Sequence, residues 1–182
     1  MKKIISIILF LLLLVIPSCK RNKDPIELLG NMGSFHALSK SVYYNNDGTQ
    51  AYDDAEEWFD ADTGILYYIA DGNALGKRKV YTCGNEKYTY NYSTHTWKKQ
   101  TFEYGDTGTS LDLSDKDNYD YENGVYTLKK HFNLGQWDYY KVYMKDGHLT
   151  TEERVTYDRY YVVTTIEYLE TDSKGYNLEL PS

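Results

Sequence analysis

Two tight-turn dipeptides constrain the second half of this chain more than any other feature. Asn123-Gly124 and Asp146-Gly147 each lie between two segments that are rich in tyrosine and β-branched residues. Both dipeptides readily adopt the positive φ angles of two-residue turns between antiparallel strands, so the sequence predicts two β-hairpins. The flanking strand segments are 119–121, 125–132, 137–144 and 148–156.

Residues 159–170 show the clearest strand pattern. Apolar side chains occur at alternate positions on both sides of this segment, and the pleat of a strand places alternate residues on opposite faces. Apolar residues on both faces predict a sheet that is covered on both sides over part of its length. Further strands are predicted at 51–60, 65–70, 78–83, 87–92, 95–104 and 176–180.

A helix is predicted near the start of the domain. Asp24-Pro25 supplies an acidic N-cap followed by proline at the first helical position, and Glu27 follows three residues after the cap. Apolar residues at three- and four-residue steps extend this pattern for about four turns, to residues 39–41. They are Leu28, Met32, Phe35, Leu38 and Val42.

These elements together define the expected fold class. The chain is expected to be mainly β, with about ten or eleven strands and one helix. The strands would form a strongly curved antiparallel sheet or half-barrel packed on that N-terminal helix.

The N-terminus has the pattern of an export signal. Lys2 and Lys3 precede an apolar run of 13 positions, Ile4 to Ile16, and the chain becomes polar at Lys20. That run is shorter than the roughly 20 residues with which a helix spans a bilayer. An ordinary secretory signal cleaved elsewhere and an uncleaved anchor are the alternative interpretations.

Cys19 directly follows the small residue Ser18 at the expected cleavage site. This arrangement resembles the lipobox of bacterial lipoproteins, in which the thiol receives diacylglycerol. The resemblance implies a palmitate-bearing lipid anchor that holds the protein on the cell membrane or outer membrane, outside the cytoplasm. The expected organisation is a lipoprotein signal peptide at 1–18, the lipidated Cys19 with a polar tether at 19–24, and a single β-rich domain at 25–182.

Charge and aromatic content limit the classes of ligand that the chain is expected to bind. The 20 Lys and Arg against 27 Asp and Glu give a net charge of −7, which disfavours binding to nucleic acid phosphates. The chain has 21 Tyr against 5 Phe and 3 Trp. Since tyrosine has an apolar ring and a polar hydroxyl, this excess predicts half-exposed aromatic surfaces, a groove or an aromatic platform. The simpler interpretation is that tyrosine favours antiparallel strands.

No catalytic or metal-binding pattern is present. The four His lack H-x-x-x-H spacing, no G-x-S-x-G elbow occurs and no phosphate-binding loop is found. Cys83 is interpreted as a small apolar strand residue. The acidic residues Asp53, Asp54, Glu56, Glu57, Asp60 and Asp62 are interpreted as charges along a solvated strand edge. The sequence therefore predicts a non-enzymatic protein without cofactor or metal.

Two resemblances suggest ligands. The segments Ala55-Glu-Glu-Trp-Phe-Asp, Ile65-Leu-Tyr-Tyr and Lys79-Val-Tyr, with Thr96-Trp97-Lys98, resemble small lipoproteins of the LolA/LolB and LppX/LprG type. That resemblance implies a half-barrel that holds acyl chains on its concave side. Residues 63–76 resemble one cell-wall-binding repeat, whose aromatics stack on choline or sugar.

The leading hypothesis is a membrane-anchored envelope lipoprotein that binds a hydrophobic or amphiphilic ligand in a curved sheet. The alternative is a surface adhesion or glycan-binding module that uses exposed Tyr and Trp. The sequence leaves the oligomeric state open. The candidate ligand-binding residues are Trp58, Tyr67, Tyr88, Tyr90, Trp97, Tyr140 and Tyr160.

Overall fold

A computed structural model describes residues 23–102, 113–129, 137–173 and 175–181. The predicted leader, Cys19 and parts of the predicted strands 95–104 and 125–132 lie outside these residues. The helices are α1 (Pro25–Gly30) and a 3₁₀ turn (Lys116–Asn118). The strands are β1 (Ser34–Asn45), β2 (Gln50–Asp60), β3 (Ile65–Gly72), β4 (Arg78–Cys83), β5 (Glu86–Asn91), β6 (Thr96–Thr101), β7 (Tyr119–Glu122), β8 (Val125–Leu128), β9 (Trp137–Lys145), β10 (His148–Thr156) and β11 (Tyr160–Ser173).

The strands form one 11-stranded antiparallel sheet in the order β6-β5-β4-β3-β2-β1-β11-β10-β9-β8-β7. The sheet consists of two meanders, β1 to β6 and β7 to β11, which meet at its centre, where β1 pairs with β11. This pairing starts with Asn45 opposite Tyr160. The expected mainly-β class with one N-terminal helix is confirmed. The sheet is open and not strongly curled, unlike the half-barrel that was expected, because β6 and β7 lie at opposite ends of the order.

Both predicted hairpins are confirmed. Asn123 and Gly124 have φ angles of 51° and 86°, and Asp146 and Gly147 have φ angles of 51° and 90°. These left-handed conformations connect β7 to β8 and β9 to β10, as the dipeptides predicted.

The predicted four-turn helix is wrong. Helix α1 has six residues, and Asp24 caps it by accepting hydrogen bonds from the backbone N–H groups of Ile26 and Glu27. The segment after it forms the 12-residue strand β1, in which Leu38 is 43% exposed. Strand β1 pairs with β2 on one side and β11 on the other, so its backbone N–H and C=O groups have hydrogen-bond partners without forming a helix.

The predicted strand at 176–180 is also wrong. Residues 175–181 have no regular secondary structure, and the Leu178 N–H donates a 3.1 Å hydrogen bond to Oδ2 of Asp60. The strand count still reaches eleven because β1 replaces the missing last strand.

Helix α1 closes the main hydrophobic core. Ile26 is fully buried against the sheet, in a cluster with Leu128, Val142 and Tyr168. Full burial of one such side chain stabilises the fold by about 1.5–3 kcal/mol. The core therefore lies on the face of the sheet that carries α1, called the helix face here.

Candidate functional site

Alternation along the strands places a set of aromatic residues on the opposite face of the sheet. Residues directly opposite each other in antiparallel strands point to the same side. Trp58 of β2 lies opposite both His36 of β1 and Tyr67 of β3, and Tyr67 lies opposite Tyr81 of β4. The row continues through Tyr88, which lies opposite Tyr81.

A second pair extends this surface toward the edge of the sheet. Tyr90 of β5 lies opposite Trp97 of β6, and both rings contact each other at a centroid distance of 5.1 Å. Trp97 also contacts Tyr81, at 5.3 Å. The six connected rings are called the aromatic ladder, and their side of the sheet is called the ladder face. They are His36, Trp58, Tyr67, Tyr81, Trp97 and Tyr90.

The inner rings of the ladder stack on one another. Tyr67 stacks on Trp58 at 5.5 Å and on Tyr81 at 4.3 Å, with interplanar angles of 23° in both pairs. Both faces of the Tyr67 ring are therefore occupied by neighbours. Such a ring presents its edge and its hydroxyl to the outside, not its face.

Lys79 lies among the rings in the half of the ladder that is nearer to the edge strand β6, called the outer half here. Its Nζ is 5.7 Å from the ring centroid of Tyr67, 5.9 Å from that of Tyr90 and 5.6 Å from that of Trp97. An ammonium within about 6 Å of an aromatic ring is attracted by the quadrupole of the ring. The ladder thus holds a positive charge at the centre of three aromatic side chains.

The ladder rings are half-buried, and their surroundings are partly apolar. Leu38, Ile69 and Tyr52 occupy the same face with 43%, 36% and 47% of their surface exposed. Burial raises the pKa of the Tyr67 and Tyr81 hydroxyls above the usual value. Both hydroxyls therefore stay protonated at neutral pH and can donate as well as accept hydrogen bonds.

The inner end of the ladder is fixed by a polar contact. The His36 ring stacks on Trp58 at 5.1 Å with an interplanar angle of 5°. Its Nε2 lies 2.8 Å from Oε1 of Glu56, which lies two residues before Trp58 on β2. This contact holds the imidazole flat against the indole.

The structure separates the sequence-predicted ligand residues into two groups. Five of the seven lie together on the ladder face: Trp58, Tyr67, Tyr88, Tyr90 and Trp97. Tyr140 lies in the core on the helix face, where it is 7% exposed and burial raises the pKa of its hydroxyl. Tyr160 is on the helix face as well, and contacts Tyr43 and Tyr157.

Sequence reasoning missed three members of this surface, His36, Tyr81 and Lys79. His36 was assigned to a helix, and Tyr81 and Lys79 were noted only as part of a family resemblance, not as ligand-binding residues. The signal that identifies Tyr81 and Lys79 is their period-two spacing with Cys83, which places them on the same face of β4.

The acidic residues of β2 do not line a sheet edge, because β2 pairs with strands on both sides. Asp53 is 4% exposed on the helix face, where Oδ2 accepts a 2.7 Å bond from Nη2 of Arg78. Asp60 is 1% exposed. Although burial raises it, the pKa of Asp60 lies below its usual range because the backbone N–H groups of Leu178 and Asp62 bond to the carboxylate.

Cys83 and the possible metal ligands form no second site in the described ranges. Cys83 is a free thiol whose Sγ lies 3.8 Å from the Thr63 carbonyl oxygen. No three His, Cys, Asp or Glu side chains converge on a metal position among the residues described. Within the same residues, no helix has the length and apolar character needed to cross a bilayer.

Comparisons with known proteins give distant likenesses to solved structures. No protein-family model matches the sequence, and no curated protein matches it significantly. The chain is similar to a solved structure of a DUF1329 family protein from Desulfovibrio piger, with 10% identity, 88% of this chain and 94% of that chain covered, and a TM-score of 0.34. A TM-score this low does not establish a common fold.

Proposed function

We propose that this protein is a non-enzymatic envelope lipoprotein that binds a glycan on its ladder face. The observation that carries the proposal is the aromatic ladder, a connected row of half-exposed rings from β1 to β6. Such a ligand is the glycan that exposed Tyr and Trp residues in the sequence suggested as the alternative. An open sheet face suits an extended polymer better than an acyl chain, which gains most from enclosure on all sides.

The spacing of polar groups supports a polymer as ligand. Neighbouring strands lie about 4.8 Å apart, so residues in one row repeat at that interval across the sheet. Tyr67, Tyr81 and Tyr88 are successive members of such a row. The hydroxyls of Tyr67 and Tyr81 can donate to and accept from the hydroxyl groups of successive sugar units, and the Tyr88 hydroxyl, which donates to Glu86, can still accept.

The expected affinity arises from many weak contacts. A neutral hydrogen bond contributes about 0.5–1.5 kcal/mol net, so one tyrosine hydroxyl would change affinity about two- to tenfold. A polymer that meets several of these groups together gains further because its later contacts are intramolecular.

The test compares two conservative variants of adjacent residues. The full-length exported protein, purified in detergent, is passed over immobilised neutral and acidic polysaccharides. Tyr67→Phe combined with Tyr81→Phe keeps both rings and removes both hydroxyls, and is expected to weaken binding by about four- to hundredfold. Tyr68→Phe is the matched control, because Tyr68 lies on the helix face and its change should leave binding unaltered. Equal binding by all three proteins, or no binding to any polysaccharide, would overturn the proposal.

A second candidate ligand is an amphiphile, the leading hypothesis from the sequence. The observation that favours it is the exposure of Leu38 and Ile69 beside the ladder. Substitution of both by serine would then abolish the binding of a fluorescent fatty acid to the full-length protein. Under the glycan proposal, the same variant binds polysaccharide normally.

A further inference from the structure

Positive charge is concentrated in the segment of the chain that carries the outer half of the ladder. Residues 77–102, which contain β4, β5 and β6, hold six of the Lys and Arg residues and one of the acidic residues. This segment carries a net charge of +5 in a chain whose net charge is −7. The cations are Lys77, Arg78, Lys79, Lys87, Lys98 and Lys99.

Existing partners account for two of these cations. Arg78 pairs with the buried Asp53 on the helix face. Lys99 lies on the ladder face over Tyr88 and pairs with Glu86, which also accepts a 2.9 Å hydrogen bond from the Tyr88 hydroxyl. The one carboxylate of this segment is therefore already neutralised.

Lys79 differs from both of these cations. Within the described ranges it pairs with no carboxylate, and its ammonium contacts only the rings of Tyr67, Tyr90 and Trp97. The rings displace part of its water, and a partly dehydrated ammonium attracts an anion more strongly than an ammonium in bulk water does. An anion that binds there would also be within reach of the phenol hydroxyls of the ladder.

We propose that the ligand of the ladder face is an acidic glycan, with a carboxylate that pairs with Lys79. This inference rests on the proposed function and names its substrate class. Nucleic acid is a weaker fit, because bases need free ring faces on which to stack, whereas both faces of Tyr67 are occupied by Trp58 and Tyr81.

The test uses two forms of one polymer. Polygalacturonate and its fully methyl-esterified form have the same sugar backbone and differ in the charge of the carboxyl groups. The full-length protein should bind polygalacturonate at least tenfold more tightly at low salt, and this preference should fall as salt screens the charges. Lys79→Gln should lower the affinity for polygalacturonate to about that for the ester, which removes most of the preference.

Lys98→Gln is the matched control for the loss of one positive charge. Lys98 belongs to the same basic segment, but alternation on β6 places it on the helix face, and it should retain the preference. Equal binding of both polymers, or equal loss in both variants, would overturn the acidic-glycan inference while the glycan proposal stands. Binding to neither polymer nor to any other polysaccharide would overturn the proposed function itself. Tighter binding to single-stranded DNA than to polygalacturonate would overturn the inference in favour of a nucleic acid ligand.

Discussion

Tyr67 and Tyr81 stack side by side on β3 and β4, with ring centroids 4.3 Å apart. This pair joins the inner rings of the ladder to the outer half that holds Lys79. Aromatic pairs between directly opposite residues of antiparallel strands stabilise the pairing of those strands. The pair therefore stabilises the open sheet and also places two hydroxyls on the surface proposed to bind ligand.

Tyr81→Ala should destabilise the fold by about 2–3 kcal/mol, because it removes ring contacts with both Tyr67 and Trp97 in addition to buried apolar area. Urea unfolding followed by fluorescence measures the change. Tyr52→Ala is the control, since Tyr52 is 47% exposed on the same face and should cost no more than about 0.5 kcal/mol. Equal costs for the two variants would mean that the ladder contacts contribute nothing.

Ile26→Ala and Leu38→Ala distinguish the short helix from the longer helix that the sequence predicted. Ile26 is fully buried, so its truncation should cost about 2–5 kcal/mol. Leu38 points away from the core and is 43% exposed, so its truncation should change the free energy of unfolding by about 0.5 kcal/mol or less. A cost at Leu38 similar to that at Ile26 would support a buried apolar stripe and contradict the assignment of β1.

Local sequence signals predicted the turns and most strands because they depend on a few neighbouring residues. The Asn123-Gly124 turn required only two residues with accessible positive φ angles. Segment 34–45 could not be assigned in this way, since its apolar residues also fit a helical period. Its state is decided by pairing with β11, more than 100 residues later in the chain.

The candidate site was predicted in part for a similar reason. Tyrosine and tryptophan content indicates an aromatic surface, and alternation along the predicted strand 87–92 puts Tyr88 and Tyr90 on one face, as the structure has them. Tyr140 could not be excluded, because its burial depends on the docking of α1 against β9 and β10. Strand register, which composition does not reveal, determines which rings meet.

Arg78→Met should be strongly destabilising, because it leaves the carboxylate of Asp53 buried without its cation. Loss of one partner from a buried ion pair costs about 3–5 kcal/mol, and the partial exposure of Arg78 places the expected value at the lower end, about 3 kcal/mol. Lys77→Met, at an exposed position in the same segment, controls for the loss of charge and for the new side chain. Chemical denaturation near pH 7 gives both values, and a cost below 1 kcal/mol for Arg78→Met would contradict the role of this pair.

Tyr126 links the sheet to the residue that caps α1, and this link should be lost at alkaline pH. Its hydroxyl donates a 2.7 Å hydrogen bond to Oδ2 of Asp24, which raises the pKa of Tyr126 to about 12. Because the folded pKa lies above the unfolded value of about 10, the stabilisation is complete below pH 10 and is lost as the pH rises from about 10 to 12.

Tyr126→Phe should therefore lower the free energy of unfolding by about 1.5–3 kcal/mol at pH 8, the contribution of a hydrogen bond to a charged group. The difference between the wild type and Tyr126→Phe should narrow between pH 10 and 12. Unfolding titrations of both proteins across this window measure it. A difference that stays constant up to pH 12 would contradict the hydrogen bond to Asp24.

The predicted lipid anchor can be tested independently of the ligand. Cells grown with a clickable fatty acid should incorporate the label into the wild-type protein and not into Cys19→Ala. Fractionation should recover the labelled protein with membranes. Label that persists in Cys19→Ala, or a wild-type protein without label, would contradict the lipoprotein assignment.

The most direct test of the central claim observes the indole N–H signals of Trp58 and Trp97 during ligand titration. The full-length protein is labelled with ¹⁵N-tryptophan, and the two signals are assigned with Trp58→Phe and Trp97→Phe. We predict that acidic oligosaccharide shifts both signals progressively to saturation, because both indoles belong to the ladder. Signals that remain unmoved at ligand concentrations that saturate binding, or an absence of binding, would contradict a glycan site on the ladder face.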